Sequence, residues 1–185
     1  MNIAVYSGSF NPLHIGHLSI MKYLTEQLGY DMVYLVVSPQ NPFKDASLSS
    51  SGKQRFEDAV AAVKRHPGLK VSVKDIELEM PAPHYTIRTL DELRNSEPEN
   101  CFTLVIGADN LAAIRKWKDY GRILSEYGVV VYPRSGYRME DDRKSLLAES
   151  RKYLIKLTDA PLVNISSTEI RNAINAGMDM NNFLM

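Results

Sequence analysis

The sequence predicts an α/β protein built on a doubly wound, Rossmann-like parallel sheet, and three observations indicate this class. Short apolar runs alternate with stretches in which apolar residues recur at helical spacing. Several runs are apolar on both faces, which is typical of parallel strands covered by helices. The length of 185 residues suits one domain. We therefore expect a single domain over 1–185, with the helical part that begins near Ser166 completing its ligand site.

Each predicted element follows from its own pattern. Apolar runs of strand length predict strands at Ile3–Tyr6, Val33–Val37, Val71–Val73, Phe102–Ile106, Val129–Tyr132 and Leu162–Ile165. Helical spacing predicts helices over Leu18–Leu28, Phe56–Val63, Tyr85–Arg94, parts of Leu111–Leu124, Arg138–Arg151 and Ser167–Ala176. The polar segment Ser38–Lys53 is long for a loop, which is typical of a functional loop.

Composition excludes several classes of protein. Lys plus Arg and Asp plus Glu number 22 each, whereas nucleic-acid binders usually carry a basic excess. No run approaches the ~18 apolar residues that span a bilayer, and the first apolar run ends at Gly8, too soon for a signal peptide. The single cysteine, Cys101, begins the apolar run Cys101–Ile106, which has the pattern of a buried strand, so we expect a buried, inert thiol. We expect a cytoplasmic protein without nucleic-acid or membrane partners.

The first strand is followed at once by Gly8-Ser9-Phe10-Asn11-Pro12-Leu13-His14-Ile15-Gly16-His17, which then opens a helix. The carboxyl end of a parallel strand is where ligands bind, and a helix N-terminus favours anions. His14 and His17 are three residues apart, so both can face one side and donate to phosphate oxygens. A metal site lacks a third nearby ligand, and the Gly-Lys-Ser ending of a Walker loop is absent.

A second group of polar residues lies near the C-terminus. Ser166 and Glu169 form the pattern of a capping box, which by itself indicates only a helix start. Arg171, one turn further along, is not explained by capping. Hydroxyls, backbone amides and one arginine indicate a second phosphate clamp.

Two further residues have both ordinary and functional interpretations. Lys44 lies in the long polar loop, where an exposed lysine is the ordinary interpretation. A single tryptophan usually belongs to a core, but Trp117 lies between Arg115, Lys116 and Lys118. That pattern predicts an exposed ring, which can stack on a flat cationic ligand.

These segments resemble a known family. The first is similar to the G-x-F-D-P-x-H-x-G-H motif of nucleotidyltransferases, with Asn11 where the family usually has aspartate. His-Ile-Gly-His also occurs in class I aminoacyl-tRNA synthetases, but their lysine-rich loop is absent. Ile165–Arg171 is similar to the adenylyltransferase motif I-S-S-T-x-I-R, and Pro39–Lys44 to P-x-x-P-x-K/R. Tyr85-Thr86, Ile106–Asp109 and Trp117 resemble the nicotinate mononucleotide branch, and the likeness runs from Ile3 to Ile174.

The resemblance implies a nucleotidyltransferase fold and a set of site residues. The implied catalytic residues are His14, His17, Lys44 and Arg171. The implied ATP site comprises Gly8, Ser9, Phe10, His14, His17, Gly107, Asp109, Ile165, Ser166, Ser167 and Arg171. The implied nicotinate mononucleotide site comprises Ser9, Asn41, Lys44, Tyr85, Thr86, Asp109, Trp117 and Lys118. In it Trp117 stacks on the pyridine, amides near Thr86 and Lys118 hold the carboxylate, and Asp109 contacts ribose.

The resemblance also implies the reaction. AMP passes from ATP to nicotinate mononucleotide, giving the dinucleotide and pyrophosphate in NAD biosynthesis, with Mg²⁺ bridged by the ATP phosphates and not by protein ligands. Alternatives are a nicotinamide mononucleotide adenylyltransferase, a pantetheine-phosphate adenylyltransferase and a catalytically silent nucleotide-binding module. Pantetheine-phosphate enzymes usually carry threonine at the position of His14 and lack the Trp117 element. A homo-oligomer is left open.

Overall fold

A computed structural model describes residues 1–39, 51–162 and 164–185, and within these ranges six strands form one fully parallel sheet. The strands are β1 (Asn2–Gly8), β2 (Met32–Val37), β3 (Val71–Lys74), β4 (Cys101–Gly107), β5 (Val129–Tyr132) and β6 (Ile155–Leu157). Their order across the sheet is β3-β2-β1-β4-β5-β6, the order of a doubly wound Rossmann sheet. The predicted fold class is confirmed.

Helices connect the strands. They are α1 (Ile15–Lys22), α2 (Gly52–Lys64), α3 (Ile76–Glu79), α4 (Thr86–Ser96), α5 (Ala108–Ala113), α6 (Tyr120–Arg122), α7 (Met139–Glu149) and α8 (Ser167–Asn175). π-helical turns extend α1 over Tyr23–Gln27 and α6 over Ile123–Tyr127, and 3-10 turns cover Ile114–Lys116 and Asn181–Phe183. No helix in the described ranges is long and apolar enough to cross a membrane.

The two faces of the sheet bury two separate apolar cores. Alternate residues of β1 enter them: Ile3 and Val5 pack into the core that contains the buried face of α4. Ala4 and Tyr6 pack into the other core, with residues of α1 and α2. Because both faces of the sheet are covered, the inner strands β1, β2, β4 and β5 are largely apolar at successive positions, as the sequence indicated.

The sheet topology places a crevice beside β1. This strand pairs with β2 on one side and with β4 on the other, and the later strands extend the sheet beyond β4. Ligands of open α/β sheets bind where the chain reverses its winding direction, outside the carboxyl ends of such neighbouring strands. The turn after β1 and the start of α5 after β4 therefore face the same crevice.

The predicted strand over Leu162–Ile165 was wrong. The described residues of that segment are not in a strand, and Leu162 is exposed. The edge position next to β5 is taken instead by Ile155–Leu157, which the sequence analysis missed. This strand is only three residues long, and its central residue is a lysine, so its apolar signal is weak.

The expectation of a buried Cys101 was also wrong, because its side chain is exposed. Cys101 is the first residue of β4 and pairs with Asn2, the exposed first residue of β1. Both residues lie at the amino-terminal rim of the sheet, beyond the helices that cover its faces. The apolar residues that follow in β4 are buried, beginning with Phe102.

Candidate active site

The turn after β1 is shaped by tight packing. A Cβ atom at Gly8 would lie 3.1 Å from the Phe10 ring, so a larger residue there would push that ring out of place. Phe10 has a positive φ of 45° and is buried. Its ring packs edge-on against Tyr6 and against His17, with centroid distances of 5.4 and 5.1 Å. Phe10, predicted to lie in the ATP site, therefore supports the ring of His17 from the core side.

His14 and His17 stack and together cap helix α1. Their ring centroids are 3.7 Å apart, with an interplanar angle of 30°. The N–H of Gly16 donates to Nδ1 of His14 at 3.2 Å, and the N–H of His14 donates to Nδ1 of His17 at 3.2 Å. Because each Nδ1 accepts a hydrogen bond, each neutral ring carries its proton on Nε2. The pair thus offers two N–H donors of fixed orientation.

Both imidazoles are neutral near neutral pH. Burial, with a smaller contribution from the positive charge of Arg134, lowers the pKa of His14 from 6.5 to about 4. Burial likewise lowers the pKa of His17, with added repulsion from His14 and Arg134. A bound polyanion would reverse part of this effect, because negative charge favours the imidazolium form.

Arg134 is a site residue that the sequence analysis missed. It follows β5, and its guanidinium lies 5.4 Å from the centroid of the Tyr132 ring. Its Nε lies 3.7 Å from Oδ1 of Asp109, which follows β4. Neither of these two buried atoms has a hydrogen-bond partner among the described residues. The sequence did carry a sign of this role. Arg134 is a positively charged residue two positions beyond a buried strand, and that strand lies next to β4.

Two adjoining cavities open at this crevice. A small one lies under the histidines and is lined by Tyr6, His14, Gly16, His17, Ile20, Tyr132, Pro133, Arg134, Pro161 and Ile165. A second, of about 460 Å³, is lined by Asp109, Arg134, Ser135, Tyr137, Asn164, Ile165, Ser166 and Glu169. Arg134 and Ile165 line both cavities, so the imidazole pair and the start of α8 share one continuous site.

The start of α8 is a capping box, as its sequence predicted. The N–H of Glu169 donates to Oγ of Ser166 at 3.2 Å, and the N–H of Ser166 donates to Oε2 of Glu169 at 2.7 Å. The start of α8 also contacts the turn after β1. Arg171 donates to the carbonyl oxygen of Asn11 at 2.5 Å, and Ser167 donates to the carbonyl oxygen of Pro12 at 2.9 Å.

Arg171 and Ser167 therefore hold α8 against the turn after β1. The other arm of the Arg171 guanidinium donates to Oγ1 of Thr168 at 3.1 Å. These two side chains bind backbone oxygens of the turn, whereas Ile165 and Ser166 line the larger cavity. The structure brings the two predicted groups together, across a separation of 160 residues between Arg171 and Asn11.

The chain terminus adds a further contact to the histidine segment. Leu184 forms an antiparallel bridge with His14, and the N–H of Met185 donates to the carbonyl oxygen of Leu13 at 3.4 Å. Arg65 of α2 donates to the carbonyl oxygen of Met185 at 2.5 Å, and the Met185 side chain is buried. No local pattern in the sequence predicts this return of the chain.

Gly107 and Asp109 follow β4 at the crevice. Gly107 is buried, and a side chain there would meet the Tyr132 ring at 3.2 Å. Asp109 lies in the first turn of α5 and lines the larger cavity.

The segments predicted to bind the second substrate lie on α4 and after α5. Tyr85 is the exposed N-cap of α4, and Thr86 is its half-buried first residue. Lys118 is exposed and lies 3.7 Å from Asp119. The expectation of an exposed ring at Trp117 was wrong, because Trp117 is half-buried and packs against the core on the α4 side of the sheet. Asn41 and Lys44 lie outside the described residues.

The described part of the chain has no ready-made set of side-chain ligands for a metal ion. There, no group of three or more His, Cys, Asp or Glu side chains is placed to hold an ion. The larger cavity has two carboxylates, those of Asp109 and Glu169. Glu169 is engaged with Ser166, and Asp109 lies beside Arg134.

Known proteins resemble this chain in sequence over nearly its full length. The profile of the cytidylyltransferase-like family matches residues 5–173. A Bacteroides fragilis protein named "Probable nicotinate-nucleotide adenylyltransferase" is 40% identical over 180 residues, covering 97% of this chain and 85% of that protein. A Flavobacterium johnsoniae protein of the same name is 37% identical over 180 residues, covering 97% of this chain and 90% of that protein.

A solved structure has the same fold. The Plasmodium falciparum nicotinic acid mononucleotide adenylyltransferase complexed with NaAD superposes with a TM-score of 0.76 at 19% identity, covering 98% of this chain and 87% of that one. The two sequence relatives exceed one third identity over nearly the full length of this chain. The chain therefore belongs to the nicotinate-nucleotide adenylyltransferase family, within the cytidylyltransferase-like group.

Proposed function

We propose that this protein transfers the AMP part of ATP to nicotinate mononucleotide, giving nicotinate adenine dinucleotide and pyrophosphate, a step of NAD biosynthesis. The observation that carries the proposal is the stacked pair His14 and His17, with protons on Nε2, beside Arg134 and the start of α8. These are donors and positive charge arranged for a polyphosphate.

The proposed mechanism relies on positioning and charge neutralisation. The 5′-phosphate oxygen of the acceptor attacks the α-phosphorus of ATP in line, and pyrophosphate leaves. A phosphate is already anionic at neutral pH, so no strong general base is required. Nε2–H of His14 and His17 would donate to phosphate oxygens of ATP, and Arg134 would offset the charge that develops on pyrophosphate. Lys44 and Arg171 remain proposed phosphate contacts.

The remaining ATP contacts follow the cavity. Asp109, Ile165 and Ser166 line it, which supports a nucleoside bound there. Gly8, Ser9 and Gly107 would let the backbone approach the ligand closely, and Ser167 would act with Arg171 at the start of α8. Mg²⁺ would be held largely by ATP itself and would lower the negative charge of its phosphates.

The proposed acceptor site lies along Tyr85, Thr86, Trp117 and Lys118, together with Ser9, Asn41, Lys44 and Asp109. The exposed charge of Lys118 favours an acid over an amide substituent on the pyridine. The half-buried Trp117 leaves part of its ring for stacking. The names of the relatives support nicotinate mononucleotide as the acceptor.

A pyrophosphate-release assay with ATP and Mg²⁺ tests the function. Nicotinate mononucleotide, nicotinamide mononucleotide and phosphopantetheine are compared as acceptors, with no acceptor as the blank. We expect the highest kcat/KM with nicotinate mononucleotide. A preference for either other acceptor would contradict the proposed acceptor, and ATP binding without turnover of any of the three would indicate a silent nucleotide-binding module.

We also propose the setting in which the protein acts. One domain over 1–185 would hold the whole site, with the segment from Ser166 completing the ATP half. The protein would act in the cytoplasm on small-molecule substrates, without a nucleic-acid or membrane partner, and as a monomer or a homo-oligomer. Sedimentation of the purified protein measures the oligomeric state.

A further inference from the structure

A buried polar network links the turn after β1 to helix α4. Oε1 of Glu77 accepts from Oγ1 of Thr89 at 2.9 Å and from Oγ of Ser7 at 3.4 Å. The Ser7 hydroxyl lies 2.8 Å from that of Ser38, which follows β2. We call these four residues the Glu77 network. Glu77 and Thr89 are 5% and 1% exposed, so their polar atoms have little access to water.

Because its polar groups are buried, the Glu77 network restricts how α4 lies relative to β1. A buried carboxylate and a buried hydroxyl are costly unless hydrogen-bonded, so each member restricts where its partner can lie. Thr89 belongs to α4 and Ser7 to β1, and both donate to the same oxygen of Glu77. That oxygen therefore fixes the start of α4 relative to the end of β1.

The elements joined by the Glu77 network carry the two halves of the proposed site. Ser7 directly precedes Gly8, the first residue of the segment Gly8–His17 that carries the proposed phosphate contacts, which we call the phosphate turn. Thr89 lies three residues after Thr86, the first residue of α4 and a proposed acceptor contact. A displacement of α4 at Thr89 would therefore move the acceptor contacts relative to the phosphate turn.

The phosphate turn has a second support, through hydrogen bonds that do not involve Glu77. Nη1 of Arg55 donates to the carbonyl oxygens of Ser9 at 2.6 Å and of Ser38 at 2.8 Å. The N–H of Ser38 donates to the carbonyl oxygen of Gly8 at 2.9 Å. Loss of Glu77 thus leaves the ATP side supported and chiefly releases the start of α4.

We propose that Glu77 is a positioning residue for the second substrate, acting through Thr89 on the start of α4. The inference rests on the proposed function for the identity of that substrate. It assigns to Glu77 the placement of the acceptor contacts at the start of α4, without contact between Glu77 and either substrate.

The test uses paired variants of the full chain. Glu77→Leu and Thr89→Val remove the hydrogen bond at nearly constant shape, whereas Glu77→Gln and Thr89→Ser keep an acceptor and a hydroxyl. The matched control is Asp91→Asn, also on α4. Asp91 accepts from Arg122 and from the Tyr127 hydroxyl, outside the Glu77 network.

We expect Glu77→Leu and Thr89→Val to raise KM for nicotinate mononucleotide about tenfold, the size of one lost buried hydrogen bond, and to leave KM for ATP within about twofold. Thr89→Ser and Glu77→Gln should stay within about threefold of wild type for both substrates. Asp91→Asn should lower Tm with both KM values unchanged. Equal rises in both KM values, or unchanged KM values with a lowered Tm, would overturn the proposal.

Amide hydrogen exchange without substrate separates this proposal from the proposed function. The N–H groups of Arg88 and Thr89, which donate to the Tyr85 carbonyl oxygen, should exchange faster in Thr89→Val and at the wild-type rate in Asp91→Asn. Unchanged exchange in Thr89→Val would overturn the positioning role even if the enzyme uses another acceptor. If Glu77→Leu does not fold, the KM values and the amide exchange are measured on Thr89→Val and Thr89→Ser.

Discussion

At the scale of single residues, the site depends on how two histidines are held. The sequence placed His14 and His17 on one side of a helix start. The structure adds that each Nδ1 is occupied by a backbone N–H, so the donors are Nε2–H. It also adds that burial keeps both rings neutral. Two neutral donors bind phosphate without requiring a buried positive charge in the free protein.

Replacement of His17 by alanine tests its role as a donor to the reacting phosphates. We expect kcat to fall on the order of a hundredfold or more, as for loss of one transition-state donor. His66→Ala is the control, because His66 lies beyond the end of α2, outside both cavities of the site. Near-normal turnover in His17→Ala would remove this residue from the mechanism.

Replacement of Arg134 by alanine tests the residue that the sequence analysis missed. We expect kcat/KM for ATP to fall about tenfold or more, because a charge-assisted phosphate contact is lost. We also expect the pKa of His14 to rise. In the wild type the Arg134 charge disfavours the imidazolium form of His14, and the variant lacks that charge. Steady-state kinetics and an NMR titration of the histidine rings measure the two effects.

Arg138→Ala is the matched control for Arg134, because the Arg138 side chain is 89% exposed. It should leave both the kinetics and the His14 titration unchanged. If Arg134→Ala behaves like Arg138→Ala, Arg134 takes no part in ATP binding.

At the scale of elements, the start of helix α8 lines the larger cavity and also holds the turn after β1 in place. Its capping box begins at Ser166, which lines the larger cavity, while Ser167 and Arg171 bind the turn after β1. The structural and the functional interpretations of this segment are therefore compatible. One helix start supplies groups to the cavity and fixes the turn that carries the histidines.

Two serine caps offer a matched comparison at this scale. Ser166 caps α8, and Ser51 caps α2 by accepting from the N–H of Gln54 at 3.2 Å. Each serine-to-alanine change should lower the free energy of unfolding by about 1 kcal/mol. Only Ser166→Ala should also raise KM for ATP. Urea unfolding and steady-state kinetics check this, and equal kinetic effects would place Ser166 outside the ATP site.

At the scale of the whole molecule, the neutral histidines make stability depend on pH. The pKa of His14 is about 4 in the folded protein against 6.5 for an unperturbed histidine. Between these values the unfolded chain binds more protons than the folded one, so acidification favours unfolding. We expect the free energy of unfolding to fall as pH is lowered from about 6.5 to about 4, by on the order of 3 kcal/mol.

Urea unfolding across that pH range measures the effect, with His14→Gln as the comparison. Glutamine does not titrate there, so its curve should be shallower than that of the wild type. Parallel curves for the two proteins would contradict a buried, neutral His14.

Sequence patterns alone predicted the class of fold, a helix over Tyr85–Arg94 and the two segments that we propose bind phosphate. These are local signals: strand and helix periods are written in neighbouring residues, and a glycine turn before a helix reads directly as an anion site. Tertiary structure decided the rest. Arg134 meets Asp109, Arg171 meets Asn11, and Leu184 meets His14 only after folding. The exposure of Cys101 and the half-burial of Trp117 were set by the sheet rim and the core, which no local pattern records.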